Sequence, residues 1–311
     1  MEVANMKFVD LGRNGLNASA VSLGLMRVNG LADDAAAVKV LETAVNSGIN
    51  FFDNADMYGK GECEARFGRA LRQSSIKRED ILIQTKVGIL DHAYDFSKQH
   101  LIEAVDGSLQ RLGVDYVDSL LLHRPDALIE PEEIATVFDQ LQNAGKVRQF
   151  GVSNMNPSQV ELLQPSLNQK LIVNQLQFGI MHTGPIDAGL HVNMTDPRSV
   201  DHDGGIIEYS RLHDMTIQAW SPFQYGFFEG VFIDNPKFQE LNDELQKLAD
   251  KYHVTKNGIA VAWILRHPAQ MQVILGSMNQ ERIAQMAAGA DVKLTHQEWY
   301  DVYLAAGNNL P

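Results

Sequence analysis

Short apolar runs and longer amphipathic stretches alternate along the whole chain. The runs fall at Val21-Ser-Leu-Gly24, Ile49-Asn-Phe-Phe-Asp53, Ile81-Leu-Ile-Gln-Thr85 and Val117-Asp-Ser-Leu-Leu-Leu122. More follow at Gln149-Phe-Gly-Val-Ser153, Ile172-Val-Asn-Gln-Leu-Gln177, Thr216-Ile-Gln-Ala-Trp220 and Gln272-Val-Ile-Leu275. Nearly continuous apolar character, rather than alternation, is the pattern of parallel strands covered on both faces.

The stretches between them repeat at helical spacing. Asp33 and Asp34 precede an apolar face of Ala37, Val40, Leu41, Ala44 and Val45 that stops at Gly48, which predicts a capped helix. A second helix is expected around Leu101 to Leu112, ending at Gly113. A third starts at Pro131-Glu-Glu, where proline suits the first turn and carboxylates suit the helix dipole. Others are predicted over roughly 156–163, 204–215 and 236–253. Eight strand signals, each followed by a helix or a loop and helix, fit a (β/α)8 barrel. A doubly wound sheet would need a glycine fingerprint after its first strand, and Gly12-Arg-Asn-Gly15 does not supply one. Ahead of the barrel, the segment 8–19 reads as two short strands around Asn14-Gly15, a hairpin able to plug the barrel's N-terminal end. No linker interrupts the chain, so residues 1–311 are expected to form one domain. Two long connections, Met181 to Asp203 and Phe223 to Asn235, are placed to shape a site.

Composition narrows the chemistry. A hydrophobic fraction of 45% and a net charge of −13 describe an ordinary acidic globular protein. They argue against nucleic acid, which needs a concentrated basic face. No apolar run approaches the ~20 residues of a membrane span, and the first residues resemble no signal peptide. A cytoplasmic protein, monomeric by default, is the expectation. The lone cysteine, Cys63, sits between two glutamates, which disfavours a thiolate. The histidines show no metal-ligand spacing, so no metal is expected.

Four residues of different chemistry fall at or just past strand ends: Asp53, Tyr58, Lys86 and His123. In a parallel barrel those ends share one face. A carboxylate, a phenol, an ammonium and an imidazole gathered there would form a compact proton-handling site. Taken singly, each has a plainer role as a cap, a packed ring or a solvated strand end.

The order of motifs around these residues resembles the aldo-keto reductase superfamily. The resemblance rests on Gly48-x-Asn50-x-x-Asp53-x-Ala55-x-x-Tyr58-Gly59, Thr85-Lys86, His123-x-Pro125-Asp126 and Gly145-Lys-Val-Arg-x-x-Gly-Val-Ser-Asn154. Asn174-Gln175, Trp220-Ser-Pro222 and Gly276-Ser277-x-x-x-x-Arg282-Ile283 complete it. It implies carbonyl reduction by a bound nicotinamide, with Tyr58 as general acid and Lys86 lowering its pKa. Asp53 would hold Lys86, and His123 would orient the carbonyl. Ser153, Asn154 and Gln175 would meet the carboxamide, and Trp220 would stack on the ring. Ser221, Pro222 and Phe223 would line the pyrophosphate. Gly276, Ser277 and Arg282 would bind the adenosine phosphates, and Gln285 would face the adenine, where Met286 replaces a common asparagine. The stretch Met278-Asn-Gln-Glu281 lacks the lysine that many relatives place near the 2′-phosphate, so NADPH is expected with NADH possible. The substrate, a small carbonyl compound, would meet Met26, Arg27, Met57 and Tyr225. Two other classes share parts of this pattern: a nicotinamide-binding partner module like the potassium-channel β subunits, and a Schiff-base lyase using Lys86.

Overall fold

A computed structural model describes residues 6–311; the leading segment, read above as no signal peptide, lies outside the described residues. Twelve strands occur in chain order. They are β1 (Phe8–Leu11), β2 (Leu16–Ser19), β3 (Val21–Gly24), β4 (Phe51–Asp53), β5 (Leu82–Val87), β6 (Val117–Leu122), β7 (Val147–Ser153), β8 (Leu171–Gln177), β9 (Thr216–Trp220), β10 (Gln224–Tyr225), β11 (Gly230–Val231) and β12 (Met271–Leu275). Strands β3 to β9 and β12 are parallel and close into a barrel, with β12 pairing both β9 and β3. These eight strands coincide with the eight apolar runs. The fold is a (β/α)8 barrel.

The flanking helices bury the faces their sequences present. In the helix Asp34–Asn46, Asp33 accepts from the Ala36 amide at 2.7 Å, and Ala37, Val40, Leu41 and Ala44 are buried. The helix Lys98–Leu112 ends at Gly113 in the left-handed region, φ +69°. Helix Pro131–Asn143 begins on its proline. Three helices were not expected. One, Gly184–Leu190, lies inside the connection read as a loop. Another, Lys256–Arg266, buries every residue from Gly258 to Ile264 and therefore has no polar face to give it periodicity. The third, His296–Ala305, packs on it through Trp263 and Trp299, whose rings stack at 4.7 Å and whose indole N–H groups each donate to the other's carbonyl. No helix among the described residues is long and apolar enough to cross a membrane.

The β1–β2 hairpin covers the end of the barrel where its strands begin. The Gly12 amide donates to Thr216 Oγ1 at the start of β9, and Gln270 Nε2 donates to the Asp10 carbonyl just before β12. Lys170 donates to the Gly12 carbonyl. Gly12 has φ +62°, and a Cβ there would fall 2.6 Å from Ile172 Cβ, so the turn needs glycine twice over. One end of the barrel is thus closed by backbone and apolar packing, and ligands enter from the other.

Candidate active site

The open end gathers the residues that the sequence put at strand ends. Asp53 closes β4, Lys86 is the penultimate residue of β5, and His123 directly follows β6. Tyr58 lies in the loop after β4, which the Asp56 amide pins to the Lys86 carbonyl at 3.0 Å. The turn at Tyr58 passes through the left-handed region at Gly59, φ +56°, and Lys60, φ +55°. That reversal turns the phenol back over the barrel mouth, where its ring meets His123 edge-on at 5.8 Å.

Lys86 is fully buried and its ammonium is spent. It donates to Asp53 Oδ1 at 2.8 Å, to Asp53 Oδ2 at 2.7 Å and to the Asn54 carbonyl at 2.7 Å. Lys86 also acts on Tyr58, whose ring centroid lies 5.0 Å from the ammonium. Burial alone would lower the Lys86 pKa, but the Asp53 charge, with a smaller contribution from Tyr58, outweighs it and the net direction is up. Lys86 therefore stays charged.

Burial and the Lys86 charge also compete at Tyr58. Lys86 does pull the Tyr58 phenol toward ionisation, but burial pushes harder, and the net shift is upward from the ordinary value of 10.0. The phenol is a held proton at neutral pH. His123 is driven well below the usual imidazole range, first by burial and then by the charges of Lys86 and Arg124. It is neutral. Its buried Nδ1 finds no partner, and an unpaired lone pair is cheaper to bury than an unpaired N–H. The proton accordingly belongs on Nε2.

Beneath the pair lies a polar layer inside the barrel. Gln84 Nε2 donates to Asp53 Oδ1 at 2.7 Å and Gln175 Nε2 to the same oxygen at 3.2 Å. Gln218 links Gln84 to Gln272, whose amide donates to the Ser19 carbonyl. The sequence showed these strands as apolar runs. Their glutamines are matched across the barrel by partners such as Gln84 and Gln218, 134 residues apart, which no local pattern reveals.

From this floor a cavity of about 650 Å3 runs across the barrel mouth. Asp53, Tyr58 and His123 line it, as do Ser153, Asn154, Gln175, Trp220, Ser221, Pro222 and Phe223. So do Gly276, Ser277, Arg282, Met26, Arg27 and Met57. Ser153 ends β7, Asn154 follows it, and both are tied to their neighbours. Asn154 Nδ2 donates to Ser153 Oγ at 2.7 Å and Trp220 Nε1 to Asn154 Oδ1 at 3.1 Å. Asn154, Ser221, Phe228 and Asp234 hold positive φ here, four of the nine non-glycine cases in the described chain. Strain concentrated at one cavity is a mark of function.

Two residues fall elsewhere. Tyr225 does not line the cavity; its ring packs edge-on against Phe238 at 4.8 Å, with Lys237 above it. The Gln285 amide donates to Glu281 Oε1 at 3.0 Å, along its own helix. Conversely, Arg124, Ile89 and Asn257 line the cavity without having been singled out. Arg124 is the unnamed position of the His123-x-Pro125 motif, and its charge beside an imidazole was the available signal.

The shape and donors suit an elongated dinucleotide. Trp220 lines the same cavity as Tyr58 and His123, and so does Arg282, an arginine with no ion-pair partner among the described residues. The model of the aldo/keto reductase family matches residues 20–303. The chain belongs to this family. The 6-dehydroglucose reductase of Novosphingobium aromaticivorans is 34% identical over 315 residues, covering 98% of this chain and 97% of that protein. A probable voltage-gated potassium channel subunit beta of Arabidopsis thaliana is 28% identical over 313 residues, 92% of each chain. Among solved folds, an aldo-keto reductase from Klebsiella pneumoniae in complex with NADPH superposes with a TM-score of 0.76 at 24% identity, covering 96% of this chain and 94% of that one.

Proposed function

We propose that this aldo/keto reductase family member reduces aldehydes or ketones to alcohols with NADPH, and accepts NADH less well. The observation that carries the reading is one cavity lined by Tyr58, neutral His123, Arg282 and Asp53, the last paired with the buried Lys86. When bound, the nicotinamide supplies the hydride. Ser153, Asn154 and Gln175 would hold its carboxamide and Trp220 its ring face. The Ser221–Phe223 segment, Gly276 and Ser277 would follow its phosphates.

The chain's own residues then manage the oxygen of the substrate. Tyr58 holds a proton on Oη and delivers it to the carbonyl oxygen as charge develops there. His123 donates from Nε2 to the same oxygen, fixing its position and stabilising that charge. Lys86 stabilises the phenolate left on Tyr58, and Asp53 keeps Lys86 charged.

At the adenosine end, Glu281 beside Arg282 opposes a 2′-phosphate, but its carboxylate is engaged by Gln285. Arg282→Ala should therefore weaken NADPH about 10- to 100-fold and NADH far less, a charge-assisted bond being at stake. Titration of both nucleotides by nicotinamide fluorescence reads this, and equal losses would remove Arg282 from the 2′-phosphate.

The direct test of function is absorbance-followed oxidation of NADPH, with NADH in parallel, against 4-nitrobenzaldehyde and a 1,2-dicarbonyl. Consumption with NADPH preferred is the expected result. A second reading, a nicotinamide-binding partner module, draws on the likeness to the Arabidopsis channel subunit. Tight nucleotide binding with no turnover on any carbonyl would favour it instead.

A further inference from the structure

Arg124 differs from every other partly buried arginine of the described chain. Arg66 and Arg69 are held by Asp34, Arg78 by Asp118, Arg111 by Glu64 and Arg198 by Asp187. Arg266 donates to the Leu294 carbonyl. Arg124 is half-buried too, yet no group among the described residues accepts a hydrogen bond from its guanidinium. A charge in a partly desolvated wall without a partner is costly. In a chain of net charge −13, carboxylates to relieve it are plentiful. Those around its cavities are otherwise committed: Asp53 pairs with Lys86 and Asp234 with Lys256. Asp126 accepts from the Phe96 and Leu128 amides. Asp203, in the adjoining cavity, has its carboxyl pushed up by burial and His182 as its main charged neighbour.

The position of Arg124 tells what its free charge faces. It directly follows His123 and forms, with Asn154, Trp220 and Phe227, the wall shared by the main cavity and a side cavity of about 320 Å3. Its nitrogens are not sealed off, unlike His123 Nδ1. An open cation thus stands beside the donors that handle the carbonyl oxygen, in a cavity that Met57, Ile89 and Phe227 also line.

We infer that Arg124 anchors an anionic group of the substrate, so that the preferred carbonyl compound carries a carboxylate or a phosphate a few bonds from its carbonyl. This rests on the reductase reading above and narrows its substrate class. The planar fork of a guanidinium matches either anion with two parallel N–H donors, whereas a neutral substrate leaves the charge uncompensated.

The test compares matched substrates in the wild type and in Arg124→Gln, with NADPH. 4-Carboxybenzaldehyde is set against its methyl ester, and glyceraldehyde 3-phosphate against glyceraldehyde. In the wild type the anion of the true class has the higher kcat/KM of its pair, chiefly through KM. Arg124→Gln lowers that anion-to-neutral ratio about 10- to 100-fold, and Arg124→Lys restores part of it. The pair that responds names the anion. Unchanged ratios in both pairs would overturn the anchor while turnover of the ester upheld the reductase. If nothing turns over, the reductase reading falls, and the anchor is judged by binding of benzoate against benzamide to the NADPH-mixed protein. Benzoate preference lost in Arg124→Gln keeps it; no preference, or one that survives the substitution, removes it.

Discussion

At the residue scale, the site works by holding two groups in unusual states. Lys86 keeps its charge in a fully buried position only because Asp53 and the Asn54 carbonyl take all of its donors. Lys86→Met would leave the Asp53 carboxylate buried and unpaired, and breaking such a pair costs about 3–5 kcal/mol. Urea denaturation should show a loss of that order; a change under 1 kcal/mol would mean that Gln84 and Gln175 suffice for Asp53. Asp56, next to the tetrad, is the opposite case. Burial, reinforced by the Glu64 charge, pushes its carboxyl up to about 7 from 3.8, and one buried oxygen has no partner. The folded state thus prefers the protonated acid. Its contribution to stability is full below the unfolded value of 3.8 and is lost as pH rises toward about 7. Asp56→Asn should accordingly stabilise the protein by about 1–2 kcal/mol more at pH 8 than at pH 4. Thermal melts at the two pH values read the difference, and a pH-independent effect would show that Asp56 is ionised throughout.

At the scale of elements, legibility followed periodicity. Barrel strands with apolar residues at nearly every position, and helices with one apolar face such as Asp34–Asn46, stood out in the sequence. The helix Lys256–Arg266 did not, because burial all round removes the contrast on which a period depends. The glutamine layer was hidden for a related reason: Gln84, Gln175, Gln218 and Gln272 satisfy one another only after the barrel closes. Close approach between helices was equally invisible. Gly68, in the helix Glu62–Gln73, packs against the end of Lys98–Leu112, and a Cβ there would lie 2.3 Å from the Leu112 carbonyl oxygen. Backbone cannot yield as a side chain does. Gly68→Ala should cost about 1–3 kcal/mol, seen as a lowered denaturation midpoint at unchanged slope. A neutral result would mean that the two helices slide apart freely.

At the scale of the whole molecule, the barrel separates stability from chemistry. The hairpin and its contacts to Thr216 and Gln270 close one end, while the other collects side chains from loops far apart in sequence. That Asp53, Tyr58, Lys86 and His123 would share one end of the barrel could be read from the sequence, because each sits at or just past a strand end and parallel strands place all such ends together. What could not be read was direction and occupancy: that burial outweighs Lys86 at Tyr58, that Tyr225 turns away to Phe238, and that Arg124 stands free in the wall. Each depends on packing between segments that meet only in the fold.

The central claim is that Tyr58 gives its proton to the carbonyl oxygen while taking no part in holding the nucleotide. Measuring kcat for NADPH-dependent aldehyde reduction and the NADPH dissociation constant in Tyr58→Phe tests both halves at once. A fall in kcat of about 10²- to 10⁴-fold with the dissociation constant within about threefold of wild type is the expected result. Retained turnover would contradict the account, since the proton would then come from another group.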